Sequence, residues 1–388
     1  MTTAPTGRLQ VLLIARPGAP LVAGLPCTVR SAFRAGKLAP DRIVIAGADQ
    51  EFLDRWSFQL RAAKSPVLGD KFGAAALDPR LPLMAVDADA FPDVDGFEDF
   101  MRAAEGRDRA RLAVNGRAIA AYVRDATTFG AGTASLADVH ARVLAAPLPE
   151  ISGGPAPAFF DASRRSGAEA AAAALYARMA KPNDGYLARL DRHVSVAFTR
   201  LLLPFAISPN QVTAVSLVLG FLGACGLASA SSRTQFEGAL VLWFCAILDG
   251  CDGEIARLKH HITEWGGDFD LLADHAAHLA TFVALPIGVA RLHPDQDWRI
   301  PGVLLVTGFL AAGFSVWRLV LRVPEEKRGP TALIVERVAS RDYVYLIVAL
   351  TAIGRLDWFV WTAACGSHVF WAWLWWTARR GPAAVEPV

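Results

Sequence analysis

The chain has 388 residues, of which 53% are hydrophobic, and its mean hydropathy of +0.32 is high for a wholly soluble protein. Its formal net charge is only +2, and it has no Lys/Arg-rich tract or aromatic-basic module, which argues against a nucleic-acid partner. Five cysteines lack metal-ligand spacing, and Cys225, Cys245, Cys251 and Cys365 fall in apolar segments, so they read as small buried apolar residues.

The first half mixes apolar, charged and Gly/Pro residues as a soluble domain does. Leu9–Ala15, Arg42–Ala46 and Leu83–Val86 are short apolar runs bounded by Gly, Pro or Asp, and they predict strands. Phe52–Ala63 and Phe97–Ala104 have helical spacing between them. Nearly continuous apolar strands alternating with helices predict an α/β domain with a covered, largely parallel sheet over residues 1–160. The N-terminus has no apolar h-region, so no cleaved signal peptide is expected.

Residues 161–208 form a connecting region with two predicted helices, an alanine-rich one near Ala162–Ala180 and another at Asp184–Leu203. The second sets Arg189, Arg192 and Arg200 beside Leu187, Leu190, Val194, Phe198 and Leu201, a basic amphipathic pattern suited to the membrane interface. The alternative is a packed linker helix.

From residue 209 to 380, long apolar runs alternate with short polar connections, and about 20 apolar helical residues cross a hydrocarbon core. Six spans are predicted: 210–231, 235–257, 267–290, 300–321, 342–354 (short, beginning earlier in the preceding loop) and 357–378. The fold class is therefore an α/β soluble domain followed by an all-α polytopic membrane domain. Arg257 and Lys259, then Arg322, Lys327, Arg328, Arg337 and Arg341, then Arg379 and Arg380 load one side with positive charge. That bias predicts that both termini, and with them the N-terminal domain, are cytoplasmic, and an integral protein of a bacterial-type inner membrane is expected.

Carboxylates inside spanning helices are costly and call for a functional reason. Asp249 and Asp252 share one face of the second predicted span with Gly253 and Ala256, while Gly266, Asp270 and Asp274 form a stripe on the third. Two carboxylates from each helix suit a hard divalent cation, Mg²⁺ or Mn²⁺. His275 and His278 flank the stripe and read better as helix–helix hydrogen-bonding groups than as ligands.

The string D-G-C-D-G-E-I-A-R-L-K-H-H-I-T-E-W-G-G-D-F-D-L-L-A-D resembles the CDP-alcohol phosphotransferase signature, D-x2-D-G-x2-A-R-x8-G-x3-D-x3-D. Every defined position matches: Asp249, Asp252, Gly253, Ala256, Arg257, Gly266, Asp270 and Asp274. The resemblance covers roughly Lys181–Ala378, including S-P-N-Q-V-T at Ser208–Thr213. It implies a six-helix, usually dimeric membrane enzyme in which another alcohol displaces CMP from a CDP-alcohol. In the family's terms, Asp249, Asp252 and Asp270 hold metal on the pyrophosphate, and Asp274 is the general base and a further member of the metal set. Gly253, Ala256, Arg257 and Gly266 would line the nucleotide side. Asn210 and Thr213 are further nucleotide-side candidates, with helix capping as the alternative.

K-P-N-D-G-Y (Lys181–Tyr186) and S-R-D-Y (Ser340–Tyr343) resemble the inositol-phosphate-using branch, which includes phosphatidylinositol phosphate and di-myo-inositol phosphate phosphate synthases. Arg318, Arg322 and Arg341 could clamp an acceptor phosphate, or could serve only topology and lipid headgroups. The donor is CDP-diacylglycerol or a CDP-polyol. The N-terminal domain loosely resembles a cytidylyltransferase fused ahead of such an enzyme, with V-D-A-D (Val86–Asp89) where a metal-binding aspartate would sit. Its first strand runs into A-R-P-G-A-P-L (Ala15–Leu21), whose single glycine between two prolines cannot cradle a triphosphate. A degenerate docking or regulatory module is expected, with a bifunctional enzyme as the alternative. A transporter or a scaffold fits less well, because neither accounts for the complete motif spacing.

Overall fold

The computed structural model describes residues 8–16, 18–19, 21–151, 159–179, 186–205, 207–322, 335 and 343–380. The chain divides into two compact units, Met1–Met179 with Arg257–His261, and Ala180–Ala256 with Ile262–Val388.

The first unit runs β1 (Gln10–Ile14), β2 (Leu21–Val22), β3 (Leu25–Pro26), α1 (Cys27–Ala35), β4 (Arg42–Ala46), α2 (Gln50–Arg55), α3 (Ser57–Arg61) and β5 (Val67–Leu68). It continues with β6 (Leu83–Val86), β7 (Ala90–Pro92), α4 (Gly96–Ala103), β8 (Arg109–Val114), β9 (Arg117–Val123), α5 (Leu136–Ala145), β10 (Phe159–Asp161) and α6 (Arg165–Ala177). Six strands form one sheet in the order β5-β4-β1-β6-β9-β8. The three predicted strands pair in parallel, Val11 opposite Ile43 and Met84, because both of their faces are covered. Val11, Leu13, Ile43 and Ile45 pack on one side with Val29, Phe97 and Phe100. Leu12, Val44 and Leu83 pack on the other with Leu136, Val139 and Val143 of α5.

The sheet departs from the expected parallel pattern at β9, which pairs antiparallel with both β6 and β8. Asn115 and Gly116, at φ of 53° and 79°, supply the two left-handed residues that a tight β8–β9 hairpin needs. The helix expected over 52–63 is also broken. Trp56 leaves helical geometry at φ −108°, ψ 14° and separates α2 from α3. On α5, burial lowers the pKa of His140, keeping the imidazole neutral while its Nε2–H donates to the Val86 carbonyl at 2.8 Å.

The second unit is helical: α7 (Tyr186–Leu202), α8 (Pro209–Leu227), α9 (Ser232–Leu258), α10 (Glu264–Leu292), α11 (Arg299–Val316), α12 (Tyr343–Ala352) and α13 (Leu356–Arg380). A π-helical turn, Trp317–Leu321, extends α11. Helices thus occupy each segment expected to span. Among the described residues, Pro209–Leu227, Glu264–Leu292 and Arg299–Val320 are long and apolar enough to cross a membrane. The α9 helix falls outside that group because its last turns carry Asp249, Asp252, Glu254 and Arg257. The expected early start of the fifth span lies outside the described residues.

Ser208 begins α8 with a capping box: its hydroxyl accepts from Gln211 N at 3.3 Å, and Gln211 Oε1 accepts from Ser208 N at 2.9 Å. Two glycines let α8 and α9 cross closely, since a Cβ on Gly226 would lie 2.7 Å from Gly238 Cα. Cys225 and Cys365, expected to be buried, face outward instead, as thiols on an apolar surface can.

Candidate active site

The last turns of α9 and the first turns of α10 carry the acidic motif, and the two helices bring three of its carboxylates together. Asp249, Asp270 and Asp274 each offer an oxygen within 4.8 Å of the others. Asp249 is buried, and the other two are half-buried. Three like charges this close repel by roughly 3–4 kcal/mol per pair at an effective dielectric near 20, so the cluster favours a cation. Hard divalent cations take oxygen ligands at about 2.0–2.6 Å, which puts opposite ligands about 4–5 Å apart. The spread of the cluster matches that range, and its all-oxygen donor set suits such an ion.

Asp252 is outside that group. It is buried and accepts a hydrogen bond from the Thr213 hydroxyl of α8 and another from the Gly253 backbone N–H. The structure therefore ties Thr213, read as a nucleotide-side residue, to a motif aspartate.

Asn210 is not the helix cap, because Ser208 fills that role. Instead it lies against the start of α10, where a Cβ on Gly266 would come within 3.1 Å of Asn210 Oδ1 and 2.7 Å of Thr263 Oγ1. Thr263 is the N-cap of α10 and accepts from Gly266 N at 2.9 Å. Glycine is the residue that fits this approach. Gly253 and Ala256 are half-buried on α9, and Arg257 ends the helix exposed.

A cavity of about 30 Å³ adjoins Asp249 and Asp274 and is closed by His278, Thr281 and Tyr343. The His278 and Tyr343 rings meet nearly edge-on at 5.6 Å, a helix–helix contact between α10 and α12. His275 is exposed and turns Nδ1 back to the Leu271 carbonyl at 2.7 Å, within its own helix. Neither histidine is in the carboxylate group. Arg318 is exposed on the π-helical turn, and Arg322 lies over the Trp317 ring at 4.2 Å. Arg341 lies outside the described residues.

Sequence reading missed Glu254. It is fully buried, and its carboxylate accepts from Ser195 Oγ at 2.6 Å, Thr199 Oγ1 at 2.7 Å and Arg192 Nη1 at 3.3 Å, all on α7. The available signal was the polar stripe Arg192, Ser195, Thr199, spaced i, i+3, i+7 on one helical face.

Residues 206–378 match the family model of CDP-alcohol phosphatidyltransferase. The site above lies within those matched residues. The bifunctional IPC transferase and DIPP synthase of Rubrobacter xylanophilus is 40% identical over 131 residues, 33% of this chain and 29% of that protein. A CDP-diacylglycerol–serine O-phosphatidyltransferase of Helicobacter pylori is 31% identical over 110 residues, 28% of this chain and 44% of that protein. A crystal structure of Mycobacterium tuberculosis phosphatidylinositol phosphate synthase with CDP-DAG bound aligns at 20% identity and a TM-score of 0.37, covering 50% of this chain and 98% of that one. The chain spans between 29% and 39% of the length of the first curated relatives it matches.

Proposed function

We propose that this protein is a membrane-embedded phosphotransferase in which an alcohol acceptor displaces CMP from a CDP-alcohol. The observation that carries the reading is the meeting of Asp249, Asp270 and Asp274 within 4.8 Å on two helices that share one motif. These three residues would hold Mg²⁺ or Mn²⁺, with Asp252 beside them. The ion would supply positive charge against the pyrophosphate oxygens and the departing CMP. Asp274 accepts the proton of the attacking hydroxyl. The acceptor oxygen forms a bond to the distal phosphorus as the bond between that phosphorus and CMP breaks. Gly253, Ala256 and Gly266 leave room for the nucleotide beside the helix backbones, with Asn210 and Arg257 at its polar edge.

The acceptor is a phosphorylated polyol, inositol phosphate first, held by Arg318, Arg322 and Arg341. Support comes from the two sequence motifs of the inositol-phosphate-using branch, and the naming of curated relatives as DIPP synthases agrees. The donor is CDP-diacylglycerol or a soluble CDP-polyol. The same reading has six spans, a homodimer in a bacterial inner membrane, and the N-terminal domain and site facing the cytoplasm.

The N-terminal unit is a docking or regulatory module. In it Arg117 donates to Asp87 at 2.7 Å and to Asp161 at 3.2 Å, and it also reaches Asp89 at 3.4 Å. Arg16 holds Asp89 at 2.9 Å. The chain's own guanidinium groups thus neutralise the aspartates that a nucleotidyl-transfer metal would use.

The test is CMP release by the full-length protein from CDP-diacylglycerol and CDP-inositol, with inositol phosphate or free inositol as acceptor. Turnover should vanish on chelation, return with Mg²⁺ or Mn²⁺, and prefer the phosphorylated acceptor. Asp274→Asn should lower kcat by about 10²–10⁴-fold, the usual contribution of a general base. Adding CTP and inositol phosphate alone should yield no CDP-inositol. Full activity in excess EDTA would remove the metal reading, and equal use of both acceptors would remove the phosphate clamp.

A further inference from the structure

Glu254 occupies one of the undefined positions of the motif, and the reaction proposed above gives it no task. At about 100° per residue it lies about 170° around α9 from the midpoint of Asp249 and Asp252, on the back of the helix that carries them. There it meets the polar face of α7 through Arg192, Ser195 and Thr199. The Cys251 thiol donates to the Ser195 carbonyl at 3.3 Å, and Phe198 packs edge-on against Phe244 at 5.4 Å. One residue before Arg192, Asp191 accepts from the Tyr345 hydroxyl of α12. The α7 helix is therefore strapped both to the catalytic helix and to α12, which contributes Tyr343 to the cavity beside the carboxylates.

Stability alone does not explain a carboxylate in this position. Well-packed apolar residues in place of a buried ion pair are often neutral or stabilising. Three directional donors converging on one carboxylate do what apolar contact cannot: they select a single roll of α9 about its axis. Side-chain tips lie about 5–6 Å from a helix axis, so a roll of about 20° moves a carboxylate by about 2 Å. A misplacement of about 1 Å can cost about 10²-fold in rate.

We propose that Glu254 is a positioning residue, which with Arg192, Ser195 and Thr199 fixes the roll of α9 and so delivers Asp249 to Asp270 and Asp274. The inference rests on the metal-dependent reading of the site, and a readout that needs no turnover tests it separately. Full-length wild type, Glu254→Leu, Glu254→Gln and the double variant Ser195→Ala/Thr199→Val would be compared by Mn²⁺ titration under electron paramagnetic resonance, by thermal melting, and by kcat and KM. Glu254→Leu should weaken Mn²⁺ binding about tenfold or more and lower kcat about 30–100-fold, at temperatures well below its own melting point, where the variant is still folded. Glu254→Gln, which keeps the shape and the hydroxyl contacts, should stay within about fivefold in both. The double variant should follow Glu254→Leu in direction, and it stands in if that variant does not fold. Wild-type Mn²⁺ affinity in folded Glu254→Leu or in the double variant would overturn the proposal. So would a loss of melting temperature that accounts for all loss of activity. If wild type binds Mn²⁺ but releases no CMP from any donor, the proposed reaction falls, while the Mn²⁺ affinities still decide the role of Glu254.

Discussion

At Gly266 the absence of a side chain leaves room for Asn210 Oδ1 against the first turn of α10. A methyl group on Gly266 would lie 2.7 Å from Thr263 Oγ1, which must shift, and 3.1 Å from Asn210 Oδ1, which must give by a few tenths of an ångström. Thr263 caps α10 by accepting from Gly266 N, so the substitution strains the cap and presses on Asn210 together. If Asn210 lies on the nucleotide side, Gly266→Ala should raise the KM for the CDP-alcohol by about tenfold, worth about 1.4 kcal/mol, with acceptor KM unchanged. Steady-state kinetics with each substrate varied in turn would check this, and an unchanged donor KM would take Asn210 off the nucleotide side. The motif residues were legible because chemistry dictates both their type and their spacing. Glu254 was not, because a buried carboxylate that braces a helix is written with the same letter as one that binds a metal. Only its three α7 partners give it away.

Among the elements, β1, β4 and β6 could be read from sequence because both faces of each are covered, which leaves nearly unbroken apolar runs. The β8–β9 hairpin escaped although its turn, Asn115-Gly116, is a strong local signal flanked by Leu112, Ala113 and Ala118–Val123. Alternation of strands with helices elsewhere gives a largely parallel reading, which places no antiparallel hairpin in the sheet. The helices of the second unit were legible to within a few residues from hydropathy alone. What hydropathy could not show is how closely they cross. A Cβ on Gly238 would lie 2.7 Å from the Gly223 carbonyl oxygen and 2.8 Å from Leu227 N, both rigid backbone atoms of α8. Gly238→Leu should therefore force α8 and α9 apart and cost about 1–3 kcal/mol, the usual range for overpacking. Thermal unfolding in detergent would register it as a lowered melting temperature, whereas Leu240→Ala, at an exposed apolar position of the same helix, should change little.

For the whole molecule, the division into an α/β unit and a helical unit follows from the switch in hydropathy along the chain. The carboxylate cluster that defines the site has a further consequence at this scale. Asp249 belongs to α9, while Asp270 and Asp274 belong to α10, and the two helices are separated by the connection from Lys259 to Thr263. No contiguous stretch of the unfolded chain can reproduce that arrangement, so a cation recognises the assembled fold and ignores the denatured one. On the metal reading proposed above, binding and folding are thermodynamically linked, and the metal would act as a stabiliser whose strength grows with its concentration. At about a hundred times the dissociation constant the gain is about 2.7 kcal/mol. Melting of the full-length protein should climb by several degrees as Mg²⁺ or Mn²⁺ is raised, and Asp270→Asn should flatten that response. On the metal reading proposed above, a cell short of divalent cations would hold less of this protein in its folded form.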